Sequence, residues 1–401
     1  MPSPRDFLFG PWRAVSVLGI TQIIAWGTMF YPPVLTVPLI AADRGWSIAF
    51  GMSGFSLGLL TGGLAAPYVG RLIDRFGGHA VMPVGSLAGA LGLLGLVHAD
   101  YPLAYLAVWM LLGIAMAANL YDPAFATLGR IFGATARRPI TALTLAGGFA
   151  STVSWPVTHL LIGLAGWRGT YLVYAALLAV IAAPLHAFAL PRLRAKPEQP
   201  PDGQAAIMAQ VLPSKGLAFI LVAAAFASYA FVPSALSAHL LTIFDRLGLE
   251  RGTVVAIGAL FGPSQVAARL GEFIFARNVH PLVVARFAVA MLIAAFALLA
   301  FVGLSAPVAA AFMVMFGITN GLITIARGTV PLALFGAAGY GRLIGRIAGP
   351  SLAMQAAAPL VLAIVIERGS DAYALVVVAG LALIALACLA MIRRQQESEI
   401  A

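Results

Sequence analysis

The sequence predicts an all-α integral membrane protein: twelve transmembrane helices arranged as two pseudo-repeated six-helix bundles. Three observations carry that prediction. Hydrophobic residues make up 61% of the chain and charged residues 9%, where a soluble domain carries about 25% charge, and the mean hydropathy is +0.98. Apolar runs recur at the length of roughly 20 residues that a bilayer-spanning helix needs. Finally, a segment rich in Pro and charge lies at the midpoint, and landmarks on its two sides repeat.

Backbone polar groups in lipid must be satisfied within the spanning structure, which leaves helices or closed barrels. The runs here are long, continuous and rich in Ala, Leu and Gly, without the short alternation of barrel strands. Six spans are read near 13–40, 48–70, 79–97, 102–127, 140–164 and 168–190. Six more are read near 216–243, 252–276, 282–303, 307–328, 342–366 and 371–392. Between them, residues 191–215 read as an exposed linker. The expected organisation is an N-terminal bundle over 1–190, a linker over 191–215 and a C-terminal bundle over 216–401. The first apolar run reads as a retained span and not a cleavable leader. The single cysteine, Cys388, excludes an internal disulfide.

The net charge of +10 orients such a chain in the membrane and does not signal nucleic acid. Connections on one side carry seventeen of the 24 Lys and Arg residues. The other side has Arg44, Arg168, Arg246, Arg251 and Arg368, and Arg269 and Arg327 fall within or at the edge of spans. The positive-inside rule then places both termini and the linker in the cytoplasm, in an inner (plasma) membrane.

A shift of about 201 positions brings Phe30 and Pro32 onto Phe231 and Pro233, Gly70 onto Gly271 and Asn119 onto Asn320. Two similar six-span bundles can rock about a site between them, the architecture of alternating access.

The stretch "GRLIDRFGGH", Gly70 to His79, resembles the signature Gly-x-x-x-Asp-Arg-x-Gly-Arg-Arg/Lys of the major facilitator superfamily. Gly78 and His79 stand in place of its usual basic pair. The finer resemblance is to monocarboxylate-transporter-like and oxalate/formate-antiporter-like members. It rests on "GTMFYPPVLTVPLIAADRGWS" (27–47), "LYDPAFATLGRIFGATARRPITALTLAGGFAS" (120–151), "GWRGTYL" (166–172) and "QVAARLGEF" (265–273). In the last stretch the resemblance implies that Arg269 contacts a substrate carboxylate. Members often carry an Asp one turn earlier, where this chain has Gln265. The first-span acidic motif and lysine of animal members are absent, as is the eleventh-span lysine of the oxalate type.

The resemblance implies a gate at Gly70, Arg71, Asp74, Arg75 and Gly77, with Asp74 holding the halves together against a helix N-terminus or a basic partner. A carboxylate there gains about 0.3–1 kcal/mol, enough to bias an equilibrium without freezing it. Arg269 lies eight residues before Arg277, or about 12 Å deeper at 1.5 Å per residue. Its side chain leans toward the midplane. A charge there costs at least about 2.5–3.5 kcal/mol and normally faces a cavity. A guanidinium grips a carboxylate with two parallel hydrogen bonds, and a single one suits a monoanion. The structural alternative is an arginine paired to carbonyls or to a fixed acid. Asp122, eight residues before Arg130, lies equally deep and is the candidate proton-coupling residue; the alternative is a solvated helix end. The superfamily lines its cavity with spans one, four, seven and ten. That adds Trp26, Tyr31, Asn119, Tyr121, Tyr229 and Asn320 to Arg269 and Gln265 as substrate-binding candidates, with Gln22 and Arg327 beside them. Any of these also suits helix packing.

No Walker loop, metal-ligand spacing or nucleophile elbow occurs. The expectation is therefore no enzyme, no cofactor and no metal. The expected protein is a monomeric, lipid-embedded secondary transporter that moves a small organic monoanion by proton symport. The rival is an efflux pump for amphipathic drugs or toxic compounds; a non-transporting sensor is the reading from another class.

Overall fold

A computed structural model describes residues 10–192, 216–276 and 278–392. The rest of the linker, both chain ends and Arg277, the depth marker used above, lie outside the described residues. Among those described, all regular structure is helical. Ten stretches are long and apolar enough to cross a membrane. One of them, Pro102–Ala189, is 88 residues long and is three crossings in series, which makes twelve crossings among the described residues.

The first span, Arg13–Arg44, contains a π-helical turn at Trp26–Phe30. Pro32 and Pro33 follow it and have no N–H to give back to the preceding turn; the widened turn closes through the Tyr31 N–H to the Trp26 carbonyl (3.0 Å). The second span is Ile48–Phe76 and the third is Gly78–His98. The second helix runs six residues past its expected end. Arg71, Asp74 and Arg75 therefore belong to its last two turns, and it stops where Gly77 takes φ 85°, a conformation that favours glycine.

The fourth span breaks between Pro102–Asn119 and Tyr121–Phe132, with Leu120 extended. Pro123 is the cause: it cannot donate to the Asn119 carbonyl four residues back. Gln22 of the first span supplies the missing donor, Nε2 to that oxygen at 2.6 Å. The fifth span likewise breaks after Arg137–Gly147 and resumes at Ala150. Gly166 (φ 67°) separates it from the sixth. The second bundle is more regular: Leu217–Arg246, Arg251–Ala259 with Phe261–Phe275, Pro281–Val302, Ala306–Phe335, Tyr340–Arg368 and Asp371–Met391.

Large apolar side chains cover the outside, with Phe301 90% and Leu103 80% exposed, as a bilayer solvent allows. Inside the first bundle, His186 bridges Ser86 Oγ (3.0 Å) and Thr21 Oγ1 (2.9 Å), a buried polar core. The halves are closed against each other at the end bearing the loops after the second, fourth, eighth and tenth spans, here called the basic end. The second and eleventh spans pack backbone to backbone there. A Cβ on Gly70 would stand 2.0 Å from the Gly341 carbonyl oxygen.

Candidate functional site

Two charged centres lie between the halves, and the breaks in the fourth and fifth spans position both. The first is Arg269, 5% exposed. Its Nη1 donates to the Thr144 carbonyl (3.2 Å) across the interface, and Nη2 donates to Gln265 Oε1 (3.3 Å) one turn back. Its Nε is buried without a partner. The nearest acid in sequence, Glu272, is three residues on and shares its helix face. Glu272 instead pairs with Arg137 of the fifth span (3.0 Å). Arg269 is thus held by a carbonyl and an amide, and its charge has no carboxylate beside it among the described residues.

Its neighbours form a polar and aromatic ring. Gln265 Oε1 also accepts from Asn320 Nδ2 (2.8 Å), and Asn320 Oδ1 accepts from the Tyr229 hydroxyl (3.4 Å). From the first bundle, Tyr31 and Tyr121 lie within electrostatic reach of the guanidinium. Trp26 packs on both, with ring centroids 5.9 and 5.2 Å away, and donates Nε1 to Gln22 Oε1 (3.0 Å). The π-helical turn puts Trp26 and Tyr31 on one side of their helix. Gly147 and Gly148, at the fifth-span break, make the room. A Cβ at 148 would lie 2.2 Å from Arg269 Nη1, and one at 147 would lie 2.5 Å from the Tyr121 hydroxyl.

The second centre is the ion pair Asp122–Arg327 (2.7 Å), between the fourth and tenth spans. Asp122 Oδ1 and Arg327 Nε are buried and unpartnered. A cavity of about 30 Å³ adjoins the pair, lined also by Trp26, Tyr121 and Gln355. That is the room of about one water.

A third group closes the basic end. Asp74 Oδ1 accepts from the Gly341 N–H (2.8 Å) and Oδ2 from the Arg342 N–H (2.7 Å). These are first-turn donors of the eleventh helix, which has no intrahelical partner for them. Arg130 donates to the Asp74 carbonyl. Arg71 and Arg75 stay outside this contact, exposed and over the rings of Tyr68 and Phe76.

The structure therefore brings Arg269, Gln265, Asn320, Tyr229, Tyr31, Tyr121 and Trp26 together. It does not bring Asn119 there. That side chain is fully buried in the first bundle, accepting from Ser86 Oγ (2.8 Å) and donating to the Ala115 carbonyl (2.9 Å); only its backbone oxygen serves the site, through Gln22. Asp122 pairs with Arg327 and not with Arg269. Sequence reasoning missed Glu272, Arg137, Thr144, Gly147 and Gly148. Glu272, an acid inside an apolar run three residues from Arg269, was a signal available in the sequence.

Two six-span bundles with charged groups facing each other across the interface define a multi-pass membrane transporter. Residues 17–348 match the Major Facilitator Superfamily, and the chain belongs to that family. Among curated relatives it is similar to human monocarboxylate transporter 1 (31% identical over 134 residues, 32% of this chain and 25% of that one). It is also similar to monocarboxylate transporter 3 of Gallus gallus (27% over 186 residues, 44% and 33%). The matching stretches thus span a quarter to a third of those relatives' length. Among solved structures, the human organic anion transporter MFSD10 (TETRAN) superposes with a TM-score of 0.71 at 16% identity, covering 97% of this chain and all of that one. The transporter FucP in the outward conformation gives 0.66 at 10% identity, covering 94% and 97%. These likenesses carry the fold.

Proposed function

We propose that this transporter moves a small organic monoanion, a monocarboxylate, by alternating access with proton symport. The observation that carries the reading is Arg269: buried, free of any acid partner among the described residues, and with a buried Nε that has no hydrogen-bond partner. Keeping an uncompensated cation there is costly, and a substrate carboxylate would neutralise it with charge-assisted hydrogen bonds. Gln265, Asn320, Tyr229, Tyr31, Tyr121 and Trp26 are proposed to shape the rest of the site. Asp122 is proposed to carry the proton, and Asp74 to bias the gate with Gly70 and Gly77. The sequence likeness to monocarboxylate transporters supports the substrate class. The same proposal places the chain in the inner membrane as a monomer, with the basic end and both termini cytoplasmic; the structure then faces outward.

The test is uptake of labelled short monocarboxylates into proteoliposomes under an imposed proton gradient, with Arg269→Ala and Arg269→Lys alongside the parent. Transport should vanish in the alanine variant and fall sharply in the lysine variant, which keeps the charge and loses the two-pronged grip. Undiminished carboxylate flux in Arg269→Ala would sink the proposal. The aromatic wall of Trp26, Phe30, Tyr31 and Tyr121 favours a second reading, export of amphipathic compounds. Dye efflux that survives Arg269→Ala would support it.

A further inference from the structure

The wall that faces Arg269 is made of rings. Tyr121 stacks flat on Phe125, with centroids 5.4 Å apart and planes 11° from parallel. Trp26 then contacts Tyr121 at 5.2 Å, Tyr31 at 5.9 Å and Phe30 at 4.6 Å. Phe125 is buried, but the other four are half-buried and keep ring surface uncovered. Rings that only pack this bundle are treated differently: Tyr105, Trp109 and Tyr171 are fully buried. Trp26 and Tyr31 are also presented by a π-helical turn, a feature that recurs at functional sites.

The wall and the cation are neighbours. Tyr31 and Tyr121 lie within electrostatic reach of Arg269. The Tyr121 hydroxyl rests against Gly147 and Arg269 Nη1 against Gly148, successive residues of the fifth span. Space is open beside them: a Cβ on Gly262, two turns before Arg269 on the same helix face, would meet nothing within 4 Å. The polar side of the site offers donors. Gln265 Oε1 accepts from both Arg269 Nη2 and Asn320 Nδ2, which takes both its lone pairs and leaves N–H for a ligand. Asp122 and Glu272 are held by Arg327 and Arg137. An ammonium group placed here meets Arg269 and finds no carboxylate to pair with, an unpaired charge that selects against it.

We propose that the cargo is an aromatic monocarboxylate: a flat ring bearing one carboxylate and no amino group. The inference rests on the role of Arg269 proposed above. The guanidinium takes the carboxylate, and the ring lies against Trp26, Tyr31 and Tyr121. Aromatic pairs gain from offset-stacked and edge-to-face contact beyond the area they bury, and two or more such pairs amount to about a tenfold preference over a saturated ring. Aromatic amino acids carry the same ring and carboxylate with an ammonium added, and the site rejects them.

The test measures binding to full-length protein in nanodiscs by isothermal titration. The probes are phenylacetate, cyclohexylacetate, which matches it in charge and nearly in size, and phenylalanine. Phenylacetate should bind about tenfold tighter than cyclohexylacetate and at least about tenfold tighter than phenylalanine. In Trp26→Leu the ratio of the first two affinities should fall to about threefold or less, the loss of one or more ring contacts. Should that variant fail to fold, as read by its thermal midpoint, Tyr31→Leu reports the same ratio, and the three parent affinities decide the inference by themselves. Equal parent affinities for phenylacetate and cyclohexylacetate, or for phenylacetate and phenylalanine, overturn it, as does an unchanged ratio in folded Trp26→Leu. Arg269→Ala then separates this inference from the reading beneath it. If that variant binds neither acid while the parent binds both alike, Arg269 remains the carboxylate ligand and only the aromatic class falls. If binding survives in Arg269→Ala, or the parent binds neither acid, the carboxylate reading falls as well.

Discussion

The closed basic end can be opened by one methyl group. In Gly70→Ala the new Cβ would stand 2.0 Å from the Gly341 carbonyl oxygen, 2.6 Å from its carbon and 3.2 Å from the Arg342 nitrogen. All three are backbone atoms and cannot rotate away. Ordinary contact begins at 3.4 Å, so the second and eleventh spans must separate by about 1.4 Å. A rigid shift of that size takes the Asp74 bonds to Gly341 and Arg342, now 2.8 and 2.7 Å, beyond hydrogen-bonding distance. Overpacking costs about 1–3 kcal/mol, and applied to this state alone it shifts the equilibrium about 5- to 150-fold toward the open basic end. The assay is a spin-label distance between Leu72→Cys and Ala338→Cys, two exposed positions, in a Cys388→Ser background. The short distance should dominate in the parent and the long one in Gly70→Ala. Gly271 is the built-in control. It occupies the equivalent position of the sequence repeat, yet a Cβ there meets nothing within 4 Å, so Gly271→Ala should leave the distances unchanged. A parent-like distribution in Gly70→Ala, or an equal shift in Gly271→Ala, would refute the account of the gate.

Two further substitutions separate closure from binding. Glu272→Gln strands the Arg137 guanidinium, whose side chain is 23% exposed. Breaking one side of such a pair costs about 1–3 kcal/mol once partial exposure is allowed for. The same labels should report opening, and Arg137→Gln added to Glu272→Gln should reverse part of it. Gly148→Ala pushes Arg269 Nη1 off its present position, 2.2 Å from the new Cβ. The group displaced is the tip of a flexible side chain, so the thermal midpoint should hold. Carboxylate binding measured by titration calorimetry should weaken roughly tenfold or more, the loss of one charged hydrogen bond.

The crossings were legible because run length in lipid is a property of the chain alone: every stretch the bilayer dictates stands out in the hydropathy. So did the deep charges, since Arg269 and Asp122 interrupt apolar runs. Their partners did not, because pairing depends on how two bundles dock. Asp122 meets Arg327 across 205 positions and Arg137 meets Glu272 across 135, and no local spacing encodes either. Asn119 shows a second limit. One residue of helix turns a side chain by about 100°, and the break forced by Pro123 falls right beside it. The repeat relation to Asn320 suggested an axial site for both, yet the break sends Asn119 into its own bundle while Asn320 joins the ring around Gln265. The role of Gly147 and Gly148 was invisible for a related reason: a glycine pair in a small-residue helix reads as packing until the guanidinium and the tyrosine that fill the vacated space are seen.

Charge balance at the centre links substrate and proton, if the proposed roles hold. Arg137 and Glu272 cancel, Asp122 and Arg327 cancel, and Arg269 leaves the centre with one positive charge. A monoanion brings it to neutrality; a dianion overshoots. A proton on Asp122 adds a second positive charge, released from the Arg327 pair, and so raises the affinity for an anion. By reciprocity the anion raises the affinity for that proton by the same factor, typically about 5- to 150-fold. Both then cross together, which is symport. The unpartnered Asp122 Oδ1 and the adjoining cavity of about 30 Å³ give a proton a place to arrive through a single water. Tyr31 and Tyr121 stand within electrostatic reach of Arg269, and Tyr340 within reach of Asp122. Monocarboxylate binding, followed through Trp26 fluorescence, should therefore tighten as pH falls. In Asp122→Asn the site carries its extra positive charge at every pH, so binding should be tight and flat with pH, and proton-driven accumulation should fail while exchange persists. An Asp122→Asn variant that still binds more tightly at low pH would move the proton to another group and leave Asp122 as a structural partner of Arg327.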